Sequence, residues 1–178
     1  MGLMLGACDR QKQPEPQPRT QAPAQMGVVD VSHRGESAPA TPFLAPDGGP
    51  ATLSGFRGKP LLVNLWATWC APCVKEMPTL DKLAQARAND FQLVVISQDM
   101  AGKTAVDPFF AQNRFVALKP YLDKQNVLMM DLGLDTLPVT IFYDAKGKEQ
   151  WRVAGGMDWE SDRARKLIDD TLRAPAKG

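Results

Sequence analysis

Histidine is almost absent from this chain. His33 is the single histidine in 178 residues, and cysteine occurs three times, at Cys8, Cys70 and Cys73. A structural zinc site wants four Cys or His ligands. Cys70 and Cys73, with no histidine after them, cannot assemble one, so no metal is expected and His33 reads as a solvated residue without a role. A charge excess is also missing. Lys and Arg number 21 against 20 Asp and Glu, a formal net charge of +1. No large field therefore recommends nucleic acid or an anionic membrane as a partner. No apolar run approaches the roughly 20 residues that span a bilayer, and no internal repeat is visible.

What the chain does have is the stretch Trp69-Cys70-Ala71-Pro72-Cys73. The apolar run Leu61 to Trp66 before it reads as a buried strand. The run from Cys70 to about Arg87 reads as a helix with Cys73, Met77, Leu80 and Ala84 on its core-facing stripe. Two cysteines at this spacing, behind a strand and opening a helix, form a redox switch. Unpaired backbone N–H groups and the helix dipole favour a thiolate on Cys70, and such a position lowers a cysteine pKa from ~8.5 to about 3.5–7.5. Cys73 lies one turn deeper. Cys70 is therefore expected to attack a substrate disulfide, and Cys73 to resolve the mixed disulfide. Pro72 suits the first turn, where its missing N–H costs nothing, while Pro78 should kink the helix.

Along the rest of the chain, residues 9–37 read as a Pro- and Gln-rich tether with too few apolar groups to make a core. The folded domain is expected over 38–174. Phe43 to Leu53 reads as a hairpin around Asp47-Gly48-Gly49. Phe91–Ser97 reads as a second buried strand, followed by a helix over 105–113, a short strand over 116–122 and a helix over 126–132. Val139–Tyr143 and Glu149–Ala154 read as strands, and a last helix over about 159–173 takes Asp158 as its N-cap. This order gives an α/β mixed sheet with helices on both faces.

Gly58 through Pro78, Asp135 through Lys148 and Gly155 through Trp159 closely resemble TlpA/ResA-type thioredoxin-like thiol–disulfide oxidoreductases, TlpA most of all. The resemblance implies a thioredoxin fold with an N-terminal β-hairpin and a central αβ insertion at about 99–122. It implies a protein-disulfide reductase on the periplasmic side of the bacterial inner membrane. Its protein substrates would be disulfides of cytochrome c or respiratory-oxidase copper-site assembly proteins, and an integral membrane electron donor would re-reduce it. Its cofactor would be none beyond the Cys70–Cys73 disulfide. The Leu137–Pro138 bond would be cis and face the cysteines, with Trp69, Pro72 and the Leu137 backbone docking the substrate as an added strand. Read without the family, Pro138 is an ordinary trans proline opening a strand. Glu76 would tune the thiol pKa values and move protons, whereas read alone it is a solvated helix charge. Asn64 stands where general thioredoxins have a buried Asp. It cannot titrate, which shifts weight to Glu76 and leaves Asn64 as a hydrogen-bonded core amide.

Two other readings are weaker. A thioredoxin-fold copper chaperone needs a third ligand late in the domain, usually histidine, and none follows Cys73. Met129 and Met130 read as packing. A peroxidase needs a threonine and an arginine around a lone thiolate, which this motif does not supply. At the other end, Leu5-Gly6-Ala7-Cys8 resembles the lipobox of bacterial lipoproteins, making Cys8 the expected lipidation site and residues 1–8 a truncated signal. Seven residues precede Cys8, fewer than a basic n-region and roughly 7–15 apolar residues require. A start assigned too far downstream would explain this.

Overall fold

The computed structural model describes residues 27–174. The Cys8 lipobox and most of the tether lie outside the described residues. Its centre is β4 (Leu61–Trp66), buried at every position. Such a strand is covered on both faces, which is why it shows no polar alternation. β4 pairs in parallel with β5 (Gln92–Ser97) and antiparallel with β7 (Val139–Tyr143). Outward from these lie β8 (Glu149–Ala154), β6 (Pro120–Leu122) and the hairpin of β2 (Phe43–Leu44) and β3 (Pro50–Ala51). With β1 (Val28–Asp30), the eight-stranded mixed sheet has the order β1-β8-β7-β4-β5-β6-β2-β3.

Alternation along β4 divides the core in two. Leu62 and Trp66 pack under α1 (Ala71–Ala86), α2 (Lys103–Asn113) and α4 (Asp162–Arg173), against residues such as Met77, Val106 and Ile168. Leu61, Val63 and Leu65 point to the other side, against Leu128 of α3 (Val127–Asp131) and Phe43 of the hairpin. Asn64 shares the parity of Leu62 and Trp66, so its side chain faces α1. Pro78 lies inside α1, where its missing N–H leaves the Val74 carbonyl without a helical partner.

The expected boundaries move in three places, each for a physical reason. The fold begins before residue 38, because β1 pairs antiparallel with β8, Val29 opposite Val153. Gly35 N–H then donates to Glu149 O, and Ala38 N–H to Gly147 O. Three strand residues beside a Pro- and Gln-rich run carry no periodicity of their own; pairing with an open sheet edge defines them. β6 is shorter than 116–122, because the N–H groups of Val116, Ala117 and Leu118 all go to the Asp81 carboxylate instead of a neighbouring strand. The N-cap of α4 is Ser161, whose Oγ accepts from Ala164 N–H. Asp158 instead accepts from Glu160 N–H in the preceding turn. Among the described residues no helix is long and apolar enough to cross a membrane.

Candidate active site

β4 ends at Trp66, and its chain runs straight into the cysteine loop. Cys70 N–H donates back to Ala67 O at 3.2 Å. Cys70 is the N-cap of α1, and its Sγ accepts from Cys73 N–H at 3.4 Å. A helix N-terminus thus points one of its orphan donors at the first sulfur. Cys70 and Cys73 are joined as a disulfide with Cα atoms 5.2 Å apart. Cys73 is fully buried and Cys70 retains 6% exposure, so the first cysteine is the nearer of the two to the surface. Trp69 beside it is 70% exposed, and Pro72 is exposed too.

The Leu137–Pro138 bond is cis. Val139 stands opposite Leu65, so Pro138 is level with Trp66, at the strand end that feeds the cysteine loop. Pro138 is buried and Leu137 half-buried.

Glu76 is no solvated charge. It is 3% exposed, on the face of α1 that also carries Cys73 and Met77. Its Oε1 accepts from Asn64 Nδ2 at 2.7 Å. Its Oε2 accepts from Met157 N–H at 2.9 Å and from the Trp159 indole at 3.3 Å. Burial raises its pKa from 4.5 to about 7, with those three donors pulling the other way. Asn64 Nδ2 also reaches Thr140 Oγ1 at 2.9 Å. The core-amide reading of Asn64 therefore holds, with the added consequence that this amide is a partner of Glu76.

A groove of about 540 Å³ opens beside this carboxylate, lined by Pro72, Lys75, Glu76, Thr79, Gly156 and Met157. Gly156 packs beside Pro72, where a Cβ would make an ordinary contact of 3.4 Å with Pro72 Cβ. The loop is braced from below: Gly27 N–H donates to Gly156 O at 2.9 Å, and Arg163 donates to Gly27 O at 2.8 Å.

Sequence reasoning missed Thr140, Met157 and Trp159 as partners in this site. The segment Gly155 to Trp159 carried a family signal, but which of its N–H groups faces α1 depends on the path of the loop. Met129 packs on the core and Met130 is exposed, on the sheet face opposite α1.

The Redoxin family pattern matches residues 33–168. The chain belongs to the Redoxin family. Within it, this is a TlpA/ResA-type thioredoxin-like thiol–disulfide oxidoreductase. It is 33% identical over 129 residues to the thiol:disulfide interchange protein DsbE of Pseudomonas fluorescens biotype C, covering 67% of this chain and 68% of that protein. It is 28% identical over 126 residues to the thiol-disulfide oxidoreductase ResA of Geobacillus thermodenitrificans, covering 71% and 72%. The thioredoxin-like fold recurs in a thiol:disulfide interchange protein of Chlorobium tepidum, with a TM-score of 0.64 at 22% identity over 78% of this chain and 97% of that one. StoA of Bacillus subtilis gives a TM-score of 0.60 at 24% identity, over 75% and 98%. In this oxidoreductase the cysteine loop and Pro138 adjoin the carboxyl end of β4, and Glu76 is bonded to Asn64 within the same strand.

Proposed function

We propose that this oxidoreductase works as a reductase of envelope protein disulfides, on the cytochrome c or respiratory-oxidase copper-site assembly path. The placement of Cys70 Sγ on the α1 N-terminus, with Cys73 buried behind it, carries the reading. The reduced enzyme starts with both thiols. The Cys70 thiolate attacks one substrate sulfur, forms a mixed disulfide and expels the other substrate sulfur as a thiolate. Cys73 then loses its proton and attacks Cys70 Sγ. The mixed disulfide breaks, the second substrate thiol leaves, and the Cys70–Cys73 disulfide closes. Two electrons pass from enzyme to substrate. The released substrate thiolates take up one proton from solvent, replacing the one Cys70 lost on ionising, and the Cys73 proton returned through the general base.

Glu76 is proposed as the group that takes the Cys73 proton, three residues along the same helix face. A carboxyl that titrates near 7 can both accept and return a proton at neutral pH. Trp69, Pro72 and the Leu137 backbone are proposed to dock the substrate chain. The active site is proposed to face the periplasm, with Cys8 as the lipid anchor and an integral membrane protein as electron donor.

Trapping tests this reading. In Cys73→Ser the mixed disulfide on Cys70 cannot be resolved, so envelope extracts should yield a dithiothreitol-sensitive adduct with a cytochrome c or copper-site assembly protein. Adducts confined to other proteins would reject the substrate assignment. Equal yields from Cys70→Ser would reject Cys70 as the attacking group.

A further inference from the structure

A second buried carboxylate reaches the cysteine loop from a different element. Asp99 is 3% exposed and lies just past the end of β5, between β5 and α2. Its Oδ2 accepts from Thr68 N–H at 2.9 Å and from Ser97 Oγ–H at 2.7 Å, and its Oδ1 accepts from Thr68 Oγ–H at 2.6 Å. Its own N–H donates to Ser97 Oγ at 3.0 Å. All of these partners are neutral. Both carboxylate oxygens are thus engaged in tying the cysteine loop to the β5–α2 turn. The tie is also placed where open α/β sheets bind ligands, outside the carboxyl ends of parallel strands.

Thr68 precedes Cys70 by two residues, and Trp69 lies between them. The Thr68–Asp99 bonds therefore fix Trp69, an exposed apolar side chain, on the rim that carries Cys70. The cysteine pair is also held by the helix it opens, through the Cys73 N–H bond to Cys70 Sγ.

We propose that Asp99 is a positioning residue for exchange with polypeptide disulfides: it splices the cysteine loop to the β5–α2 turn, so that Trp69 is held beside Cys70 as a contact for the chain that bears the disulfide. The proposal rests on the thiol–disulfide exchange reading above. A small disulfide that touches only Cys70 gains nothing from this rim, whereas a peptide does.

The test compares two oxidants of the pre-reduced enzyme, a short peptide closed by one disulfide and hydroxyethyl disulfide, by rapid quench and mass spectrometry. Asp99→Ala should slow the peptide reaction about tenfold and change the hydroxyethyl disulfide reaction by less than about twofold, as displaced contacts rather than altered chemistry would. Asp99→Asn should restore the peptide rate to within about threefold of wild type, because the amide oxygen can keep the Thr68 N–H and Ser97 bonds while its NH₂ donates to Thr68 Oγ. An unchanged peptide rate in Asp99→Ala, equal slowing with both oxidants, or an Asn variant as slow as the Ala variant overturns the proposal. If Asp99→Ala fails to fold by circular dichroism, Thr68→Val takes its place. It removes the hydroxyl donor alone and should slow the peptide reaction selectively; an unchanged rate overturns the proposal equally. A wild-type enzyme that reacts with neither oxidant would instead reject the exchange reading itself.

Discussion

Asn64 Nδ2 donates to Glu76 Oε1 at 2.7 Å, joining a strand residue that cannot titrate to a helix residue that can. The same nitrogen bridges to Thr140 on the neighbouring strand, and Asn64 and Thr140 are register partners in the β4–β7 ladder. The amide is thus fixed by the sheet, and it fixes the carboxylate in turn. Burial keeps that carboxylate protonated to a higher pH than usual, while the donors from Asn64, Met157 and Trp159 limit the rise.

Stability should carry the signature of Glu76. Its folded pKa of about 7 lies above the ordinary 4.5, so the folded state binds the proton more tightly than the unfolded chain. The stabilising contribution is complete below about pH 4.5 and is lost as pH rises through 7. The shift of 4.5 to about 7 corresponds to about 3 kcal/mol over that window. Urea unfolding of the oxidised protein at both ends of the window should show this loss in wild type and not in Glu76→Gln. Parallel pH profiles for the two proteins would contradict it.

Asp81 holds the segment after α2 in place. Its carboxylate takes N–H bonds from Val116, Ala117 and Leu118, the last two at 2.8 and 3.0 Å, and one from Gln85 Nε2 at 2.8 Å. Asp81→Ala strands several part-buried donors, each worth about 1–3 kcal/mol when left unpaired. A destabilisation of about 2–4 kcal/mol is expected in urea, with faster hydrogen exchange at residues 116–118. Unchanged exchange there would show that the segment holds itself.

Gly27 braces the site from outside the predicted domain. A Cβ at this position would fall 2.4 Å from Val153 Cγ1 and 2.9 Å from Gly155 O. Gly27→Ala should cost about 1–3 kcal/mol through overpacking. It should also loosen the Gly155–Met157 turn that supplies a donor to Glu76. Weakening that donor favours the neutral acid, so the Glu76 carboxyl followed by NMR should titrate at a higher pH than in wild type. An unmoved titration would separate the Gly27 brace from the site.

The parts of the site that lie within one element could be read from the sequence. The cysteine pair, its helix and the strand behind it follow from local residue order, and Pro138 and Glu76 followed from resemblance. Contacts between distant segments could not. Asp81 and Asp99 look like any helix and turn acids until residues 116–118 and Thr68 are folded onto them. The Met157 N–H has no side-chain signature at all. β1 was hidden for the same reason, since its ladder with β8 is made of backbone.

The central claim is that Cys70 is an accessible thiolate and Cys73 is shielded behind it. The most direct measurement is the alkylation rate of each cysteine in the reduced protein across pH, resolved by mass spectrometry. Cys70 should be labelled at least about tenfold faster near neutral pH, with a midpoint below the ~8.5 of a free thiol. Equal, slow labelling of Cys70 and Cys73 with midpoints at the free-thiol value would contradict the account.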